Sequence, residues 1–398
     1  MSMLRLRQAA PALLFAAGLL ALQACGGTEY PNSTFNHTTD FNTSIDALWD
    51  LLLFWGTIVF VLVEAALIFT IIKFRKRPGG PPARQIHGNV ALEITWTAIP
   101  ALILLMIAIP TVKTIFKTQA PAPAGALTVE IIGHQWWWEV RYPEYNVVTA
   151  NEIYIPVGRP ANFVLTTVDV IHSFWIPQLG GKRDLITNRT NYLWFTPNAD
   201  LGTQAFNGFC TEYCGTSHAN MRIRMFTVQP DEFESWARHQ ATIAQPRQAA
   251  DARTVPGYVF PKEQLPVHVV PQTPVPTTVA FDDNLLAAGD TLRGAMQWMI
   301  SCMACHTING VPNSTSKLGP DLTHLASRHT IASGLFPNEP RILARWIKNP
   351  RALKPGTLMN ANGLGEFDAY RNITVGPQHL GLTDSQIADI VAYLATLK

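Results

Sequence analysis

The chain has 398 residues, which is enough for two or three domains. Its formal net charge is only +2, too small an excess of basic residues to indicate a nucleic-acid partner. Charged residues make up only 15% of the chain, so we expect part of it to lie in a lipid bilayer.

Residues 1–24 have the features of an export signal. Arg5 and Arg7 precede an apolar run that is too short to span a bilayer. The run ends in Leu-Gln-Ala-Cys, so that Cys25 stands where the acylated first residue of a bacterial lipoprotein stands. The alternatives are an ordinary cleaved signal and an uncleaved anchor, and all three interpretations place the following chain at the membrane or beyond it.

Two apolar runs within residues 25–118 predict a transmembrane hairpin. Residues 47–72 and residues 90–116 are each long enough to cross a hydrocarbon core of about 30 Å as a helix. The short segment between them is basic, and basic loops mark the cytoplasmic side. Its basic residues are Lys73, Arg75, Lys76, Arg77 and Arg84. The N-terminus and everything after about residue 118 are therefore predicted to face outward.

Glu64 and Glu93 lie within or near the ends of these two runs. Ionisable groups at membrane depth are costly and usually face a protein interior or a water path. For Glu93, near the cytoplasmic end, the simplest interpretation is contact with headgroup water. Glu64 lies deeper, where a pairing partner in another subunit or a role in proton movement would explain it.

The exported part divides into a β-rich segment, a linker and a helical segment. Residues 119–240 carry short runs of alternating polar and apolar residues, which predict a sandwich or barrel closed by a helix over 231–240. Residues 241–283 are rich in proline and predict a semi-extended linker. Residues 284–398 show a helical pattern.

Cys210, Cys214, His218 and Met221 lie close together in "GFCTEYCGTSHANM" and form a candidate metal-binding set. Zinc is one interpretation, since it commonly takes cysteine and histidine ligands. Copper is favoured because the spacing is wider than in the usual zinc knuckle and because a thioether is a soft ligand. His172, at the end of an apolar run, completes a cupredoxin-like layout. Two thiolates, moreover, can bridge two copper ions.

The motifs "IIGHQWWWEV", "VDVIHSFWIPQLGGKRD" and "GFCTEYCGTSHANM" resemble those of the subunit II family of haem–copper oxygen reductases. The resemblance covers about residues 40–240 and implies a dinuclear copper (CuA) site. The copper ligands it implies are His172, Cys210, the main-chain carbonyl of Glu212, Cys214, His218 and Met221. It also implies that the Glu212 carboxylate binds magnesium, a hard oxygen-preferring ion, at the border with the catalytic subunit.

The same resemblance implies roles for Trp136 and Glu93. Side chains alternate faces along a strand, so the three adjacent tryptophans from Trp136 to Trp138 cannot all point inward. At least one is predicted to be exposed or to lie beneath a loop. The family receives its electrons at the first of the three, here Trp136. Glu93, in "LEITWTAIPALIL", matches a family region whose glutamate lies at the mouth of a proton path.

"CMACH", residues 302–306, is the attachment motif of a c-type haem. Cys302 and Cys305 would bond the haem covalently, and His306 would be the proximal ligand of its iron. Met359 is the only methionine after this motif and is the predicted distal ligand. The rival distal ligands are His324, His329 and His379. The helices at the two ends of this segment resemble those of class I cytochromes c.

The predicted fold is a multidomain membrane protein with a two-helix transmembrane hairpin, a cupredoxin-like β-sandwich and an all-α cytochrome c domain. The resemblance implies an electron-receiving subunit of a respiratory oxidase in the bacterial cytoplasmic membrane, with copper and haem on the outer face. A cytochrome c would be the donor and the catalytic subunit, which reduces dioxygen and pumps protons, the acceptor. The alternatives are the equivalent subunit of a copper-containing nitric oxide reductase and a membrane-anchored copper carrier without enzymatic function.

Overall fold

The computed structural model describes residues 32–75, 78–80, 85, 87–243, 258–266, 268–269 and 275–398. The predicted export signal, Cys25 and much of the proline-rich linker lie outside the described residues. The same holds for three basic residues of the loop between the two apolar runs. These are Lys76, Arg77 and Arg84.

The two predicted spans are long helices, α1 (Asp40–Lys73) and α2 (Val90–Gln119). The side chains of Thr39 and Asn89 cap their first turns by accepting a hydrogen bond from the N–H three residues later. Both helices are long and apolar enough to cross a membrane, and nearly all their side chains are exposed rather than packed in a protein core. Such uniform apolar exposure is what a lipid environment requires.

The segment after the helices forms two five-stranded sheets, with strand orders β3-β2-β1-β5-β8 and β4-β10-β9-β6-β7. The strands are β1 (Leu127–His134), β2 (Trp137–Tyr142), β3 (Val147–Ala150), β4 (Glu152–Pro156), β5 (Ala161–Thr167), β6 (His172–Trp175), β7 (Arg183–Leu185), β8 (Asn191–Phe195), β9 (Gln204–Cys210) and β10 (Arg222–Val228). Helix α3 (Pro230–Gln240) follows the last strand. The predicted sandwich is therefore present, with its closing helix.

Alternating side chains of the strands fill the space between the two sheets. Leu127, Val129 and Ile131 of β1 are fully buried, while Thr128 and Glu130 between them are partly exposed. Trp236 of α3 stacks on Tyr154 of β4, with ring centroids 4.6 Å apart. The core thus fixes the two sheets and the helix against one another.

Pairing of β6 with β9 brings two distant parts of the chain together at one end of the sandwich. β6 begins at His172 and β9 ends at Cys210, and the pairing places Phe174 opposite Cys210. The loop after β9 is closed at its base because the Cys210 N–H donates to the Met221 carbonyl at 3.0 Å. Both candidate ligand segments therefore start from the rigid edge of a sheet.

Residues 275–398 form a helical region that packs on the sandwich. Its helices are α4 (Thr291–Ser301), α5 (Pro340–Lys348), α6 (Pro350–Leu353) and α7 (Asp384–Leu394), and its short hairpins are β11 (Thr330–Ile331) with β12 (Phe336–Pro337) and β13 (Phe367–Asp368) with β14 (Ile373–Thr374). The helical domain predicted for residues 284–398 is confirmed, and loops and two short hairpins connect its helices. Pro350 follows α5 by two residues, and Pro355 follows α6 by two residues, so prolines limit the length of these two helices.

Helices α4 and α7 cross at Gly294, and the close approach depends on the missing side chain. A Cβ added at Gly294 would lie 1.9 Å from the main-chain carbonyl oxygen of Asp389 in α7. We expect Gly294→Ala to destabilise the helical region by about 1–3 kcal/mol or more, because the helices must separate. Thermal unfolding followed by haem absorbance measures this. Met296→Ala, at an exposed position of the same helix, is the control, and equal melting of the two variants would contradict the argument.

The described part of the linker is packed rather than free. Phe260 and Val269 are fully buried and belong to the core of the sandwich. The sequence predicts a semi-extended linker because the six prolines of residues 256–276 disfavour both helix and central strand. Prolines do not prevent the apolar residues between them from packing on a neighbouring surface.

The helical region contacts the sandwich through buried charged residues. The Glu152 carboxylate, 2% exposed, accepts hydrogen bonds from the N–H groups of His329 and Thr330 at 2.9 and 2.8 Å. Arg224, 1% exposed, donates to the carbonyl oxygens of Val269 and Gly334. A buried charge without such partners would cost several kcal/mol. The helical region thus supplies hydrogen bonds that both charged residues need.

Candidate metal centre and adjoining cavity

Sulfur and nitrogen atoms from β6 and from the loop after β9 converge at the end of the sandwich. The Sγ atoms of Cys210 and Cys214 lie 3.7 Å apart. His172 Nδ1 lies 3.8 Å from Cys210 Sγ, and His218 Nδ1 lies 3.5 Å from Cys214 Sγ. The Met221 sulfur lies 3.9 Å from Cys214 Sγ. Two sulfurs therefore occupy the middle of the cluster, with one imidazole at each end.

The distances in the cluster fit metal coordination. Metal–sulfur and metal–nitrogen bonds of about 2.3 and 2.0 Å at tetrahedral angles put neighbouring ligand atoms about 3.5–3.8 Å apart. The ligand atoms of His172, Cys210 and Cys214 all lie within 4.8 Å of one another, and His218 extends the set at its other end. The four described cysteines are free, so neither thiol is used in a disulfide. This donor set fits copper, and its two-ended shape fits a pair of ions sharing two sulfurs.

The two thiols influence each other's ionisation. The hydrogen bond with Cys214 is the main reason that the pKa of Cys210 lies well below its ordinary value, and the contact with His172 acts in the same direction. A thiol that ionises readily is ready to bind a metal ion, because the thiolate is the ligand.

Asp169 orients the imidazole of His172. Its carboxylate oxygen lies 2.8 Å from Nε2 of His172, which leaves Nδ1 directed at Cys210. Burial opposes protonation of His172, but the hydrogen bond with Asp169 raises the pKa of its ring. A carboxylate behind a ligating histidine fixes its tautomer and increases its basicity. Asp169 is a site residue that the sequence prediction missed, although it lies three positions before the histidine.

Glu212 presents different groups to the two sides of the loop. Its main-chain carbonyl oxygen lies 3.3 Å from Cys210 Sγ, beside the cluster. Its side chain is exposed, as is that of Tyr213. The carboxylate therefore faces outward, while the carbonyl oxygen lies against the sulfur of Cys210.

Trp136 joins the metal loop to the helical region. Its indole N–H donates to the carbonyl of Cys214 at 2.9 Å, and its ring is 9% exposed. All three adjacent tryptophans are buried, each in a different way: Trp137 stacks on His134 with centroids 4.1 Å apart, and Trp138 lies in the sandwich core. Trp136 is the tryptophan beneath a loop, since a Cβ added at Gly356 would lie 3.4 Å from its ring.

A cavity of about 370 Å³ lies next to Trp136, within the size range of cofactor pockets. Residues from both the helical region and the sandwich line it. Those from the predicted haem site are Cys302, Cys305, His306 and Met359, and those from the sandwich include Gln135, Trp136 and Trp137.

The polar groups of this cavity fit a haem. His306 Nδ1 lies 2.8 Å from the Pro320 carbonyl, which leaves Nε2 for an iron ion, and burial lowers the pKa of this histidine. Trp298 Nε1 and Arg328 Nε are buried and have no hydrogen-bond partner within the part of the chain that the structure describes. Both residues line the cavity, although these two nitrogen atoms are themselves enclosed by protein.

Arg351 holds the segment that carries Met359. Its guanidinium donates to the carbonyls of Thr357 and Leu358 at 3.1 and 3.2 Å and pairs with the buried carboxylate of Asp368. The sequence prediction missed this residue, since an arginine in a short segment between two prolines usually faces solvent.

The rival distal ligands are engaged elsewhere or lie outside the cavity lining. The ring nitrogens of His324 contact the carbonyls of Lys398 and Thr242 at 2.9 and 3.1 Å. His379 accepts from the Gly376 N–H at 3.1 Å. Neither these two nor His329 is among the described residues that line the cavity.

The structure does not bring the two membrane glutamates to either site. Glu93 is exposed in the first turn of α2, and Glu64 is half-buried in α1. Their positions do not test the role predicted for Glu93.

Three family models match successive parts of the chain. The transmembrane domain of cytochrome c oxidase subunit II matches residues 35–114, its periplasmic domain matches residues 146–228, and cytochrome c matches residues 291–398. A probable cytochrome c oxidase subunit 2 of Rickettsia bellii is 33% identical over 216 residues, which are 49% of this chain and 78% of the relative. Cytochrome c oxidase subunit 2 of Alkalihalophilus pseudofirmus is 29% identical over 86% of this chain and 83% of its own.

Among solved structures, the periplasmic domain of cytochrome oxidase subunit II of Bradyrhizobium japonicum is 34% identical over 30% of this chain and 95% of that domain, with a TM-score of 0.28.

Two membrane-spanning helices, a sandwich with a sulfur-rich metal cluster and a haem-attachment cavity define a membrane-anchored electron-transfer protein with its sandwich on the outer face. The chain belongs to the cytochrome c oxidase subunit II family, and it carries a cytochrome c domain at its C-terminal end. It is thus a component of the oxidase complex, and its two outer domains imply copper and haem as cofactors.

Proposed function

We propose that this chain accepts electrons from an external cytochrome c and delivers them to the catalytic subunit of a terminal oxidase in the bacterial cytoplasmic membrane. That subunit reduces dioxygen to water and pumps protons. One observation carries the proposal: a single cavity is lined by the haem-attachment residues and by Trp136, whose indole N–H donates to the carbonyl of Cys214 in the metal cluster.

The convergence of the sulfur and nitrogen atoms and the lining of the cavity support a proposed set of cofactor ligands. Haem c would be held by Cys302, Cys305, His306 and Met359, and a dinuclear copper centre by His172, Cys210, the Glu212 carbonyl, Cys214, His218 and Met221. When bound, the two groups supply one-electron carriers whose surroundings need not rearrange much on reduction. The chain's own contribution is to exclude water, to fix the imidazoles through Asp169 and Pro320, and to hold Trp136 between the two sites.

We also propose that the Glu212 carboxylate binds magnesium together with groups of the catalytic subunit. The support is its exposure beside a loop whose sulfur ligands are buried. A hard cation that prefers oxygen ligands suits this exposed carboxylate.

The proposed function is tested on the chain purified with its partner subunits. Metal and haem analysis of this chain, after separation from its partner subunits, should give two copper ions and one haem c. The complex should consume dioxygen when supplied with reduced cytochrome c. Consumption of nitric oxide without consumption of dioxygen would contradict the proposal, as would copper that exchanges freely with a chelator.

Glu93 is proposed to begin a proton-uptake path toward the catalytic subunit, supported by its place in the first turn of α2, at the side of the basic loop. We expect Glu93→Gln to slow steady-state dioxygen consumption severalfold, because the amide cannot pass on a proton. Copper content and haem reduction by the donor should be unchanged, and Glu93→Asp should retain more turnover than Glu93→Gln. Equal turnover in Glu93→Gln and in the parent would show that Glu93 has no role in proton uptake.

A further inference from the structure

Lys354 is a buried lysine at the contact between the helical region and the sandwich. Its side chain is only 3% exposed, and burial lowers its pKa to about 7. The Nζ donates to the main-chain carbonyl of Trp136 at 2.6 Å and to the Ser333 hydroxyl at 3.0 Å. A buried amine is costly without partners, so its acceptors must be held in place.

Ser333 also donates a hydrogen bond to the main-chain carbonyl of Trp136, from a different direction. Its hydroxyl donates to the Trp136 carbonyl at 2.7 Å, and its own carbonyl accepts from the Arg222 N–H at 3.2 Å. The turn at Ala332, Ser333 and Gly334 has three consecutive positive φ angles of 55°, 60° and 72°. Such a conformation is sparsely populated for non-glycine residues and persists only where the surroundings enforce it.

Trp136 is therefore held from both sides. Its indole N–H is bonded to the metal loop through the Cys214 carbonyl at 2.9 Å, and its own carbonyl is bonded to Lys354 and Ser333 from the helical region. Next along the chain from Lys354, the Pro355 carbonyl accepts from the Ser217 hydroxyl of the metal loop. The hydrogen bonds of this junction cross from one region to the other.

Gly356 completes the contact by main-chain packing. A Cβ there would lie 2.9 Å from Cβ of Thr216 in the metal loop and 3.4 Å from the Trp136 ring. The segment from Lys354 to Gly356 thus lies against the metal loop and the tryptophan at once. Three residues later, Met359 lines the cavity that Trp136 also lines.

We propose that Lys354 is a positioning residue that fixes Trp136 between the haem cavity and the metal cluster, and so sets the rate of electron transfer between them. The inference rests on the proposed function for its electron-transfer part, whereas its positioning part concerns only residues of this chain. Electron tunnelling falls steeply with distance and with loss of packing contact. A small displacement of the Trp136 main chain therefore has a large effect on the rate.

The experiment compares the full chain in its oxidase complex with Lys354→Met, which keeps the aliphatic volume and removes the hydrogen bonds. We expect haem-to-copper transfer after rapid photoreduction to slow by about tenfold or more, because small misplacements cost that much. Haem content, copper content and both reduction potentials should be unchanged. The turnover number should fall while the KM for the reduced donor stays constant. Lys317→Met, at an exposed lysine of the same region, is the matched control and should behave like the parent.

Hydrogen exchange gives a second readout that does not depend on electron transfer. Peptides covering residues 330–337 and 135–138 should exchange at least severalfold faster in Lys354→Met than in the parent or in Lys317→Met. Ser333→Ala, which removes a single hydroxyl, should shift both readouts in the same direction by less. If Lys354→Met does not assemble into the complex, Ser333→Ala is used in both measurements instead.

The outcomes separate the two proposals. Unchanged exchange together with an unchanged transfer rate in Lys354→Met would overturn the positioning role. A uniform loss of haem, copper and thermal stability, with the remaining intact molecules transferring electrons at the parental rate, would do so too. A parent that shows no haem-to-copper transfer would overturn the proposed function, and hydrogen exchange would still decide whether Lys354 positions Trp136.

Discussion

Cys214→Ser is expected to abolish the proposed dinuclear copper centre. Cys214 Sγ lies within 4 Å of the sulfurs of Cys210 and Met221 and of the His218 ring nitrogen, so one substitution removes the atom that these groups share. A serine oxygen is harder, shorter-bonded and not ionised at neutral pH. We expect at most one copper per chain by metal analysis and a spin signal confined to one copper nucleus.

Met225→Leu is the matched control for this substitution. Met225 is fully buried in the sandwich four residues after Met221 and belongs to the packed core. Replacing it with leucine should leave two coppers per chain and a signal shared between both nuclei. A Cys214→Ser protein that kept two coppers with a delocalised signal would exclude the arrangement in which two cysteine sulfurs are shared.

Met359→Ala is expected to convert the haem to a form with an open coordination position. A thioether ligand raises the reduction potential of haem iron, so its loss should lower the potential by on the order of 0.1 V, within the roughly 0.8 V that axial ligands span. The reduced haem should then bind carbon monoxide. Spectroscopic redox titration and a carbon monoxide difference spectrum measure the two effects.

Met296→Ala provides the comparison, because Met296 is an exposed methionine of the same helical region. It should keep the parental potential and should not bind carbon monoxide. If Met359→Ala also kept the parental potential and did not bind carbon monoxide, one of the three rival histidines would have to be the ligand. Arg351→Met should lower the potential and allow carbon monoxide binding to a smaller extent than Met359→Ala. The reason is that the guanidinium fixes the carbonyls of Thr357 and Leu358 beside that methionine.

The parts of the site that are local in sequence could be predicted from it. Cys210, Cys214, His218 and Met221 lie within one loop, so their spacing already indicates a common ion. The haem-attachment motif is equally local. The order of two spans, a sandwich and a helical region is also confirmed, because long apolar runs and alternating strands leave a clear periodic pattern.

The contacts between the two outer regions could not be predicted in this way. Glu152 and Arg224 meet residues that lie more than 100 positions further along the chain, and no local pattern marks such a pair. Lys354, followed by proline and glycine, has the sequence of a solvent-exposed loop, and only the fold buries it. Likewise, the packing of Phe260 depends on a surface that the strands create after folding.

The cover that Gly356 and its neighbours place over Trp136 also determines which molecules can exchange electrons with the copper site. A diffusing carrier in the same compartment meets the outside of the cytochrome c domain and cannot touch the indole unless that domain moves away. On the proposed function, the cytochrome c domain therefore shields the Trp136 side of the copper loop, so that a soluble carrier would exchange electrons on that side through the haem. Selectivity for the donor is then a property of the outermost surface, and it can change during evolution without altering the copper loop beneath.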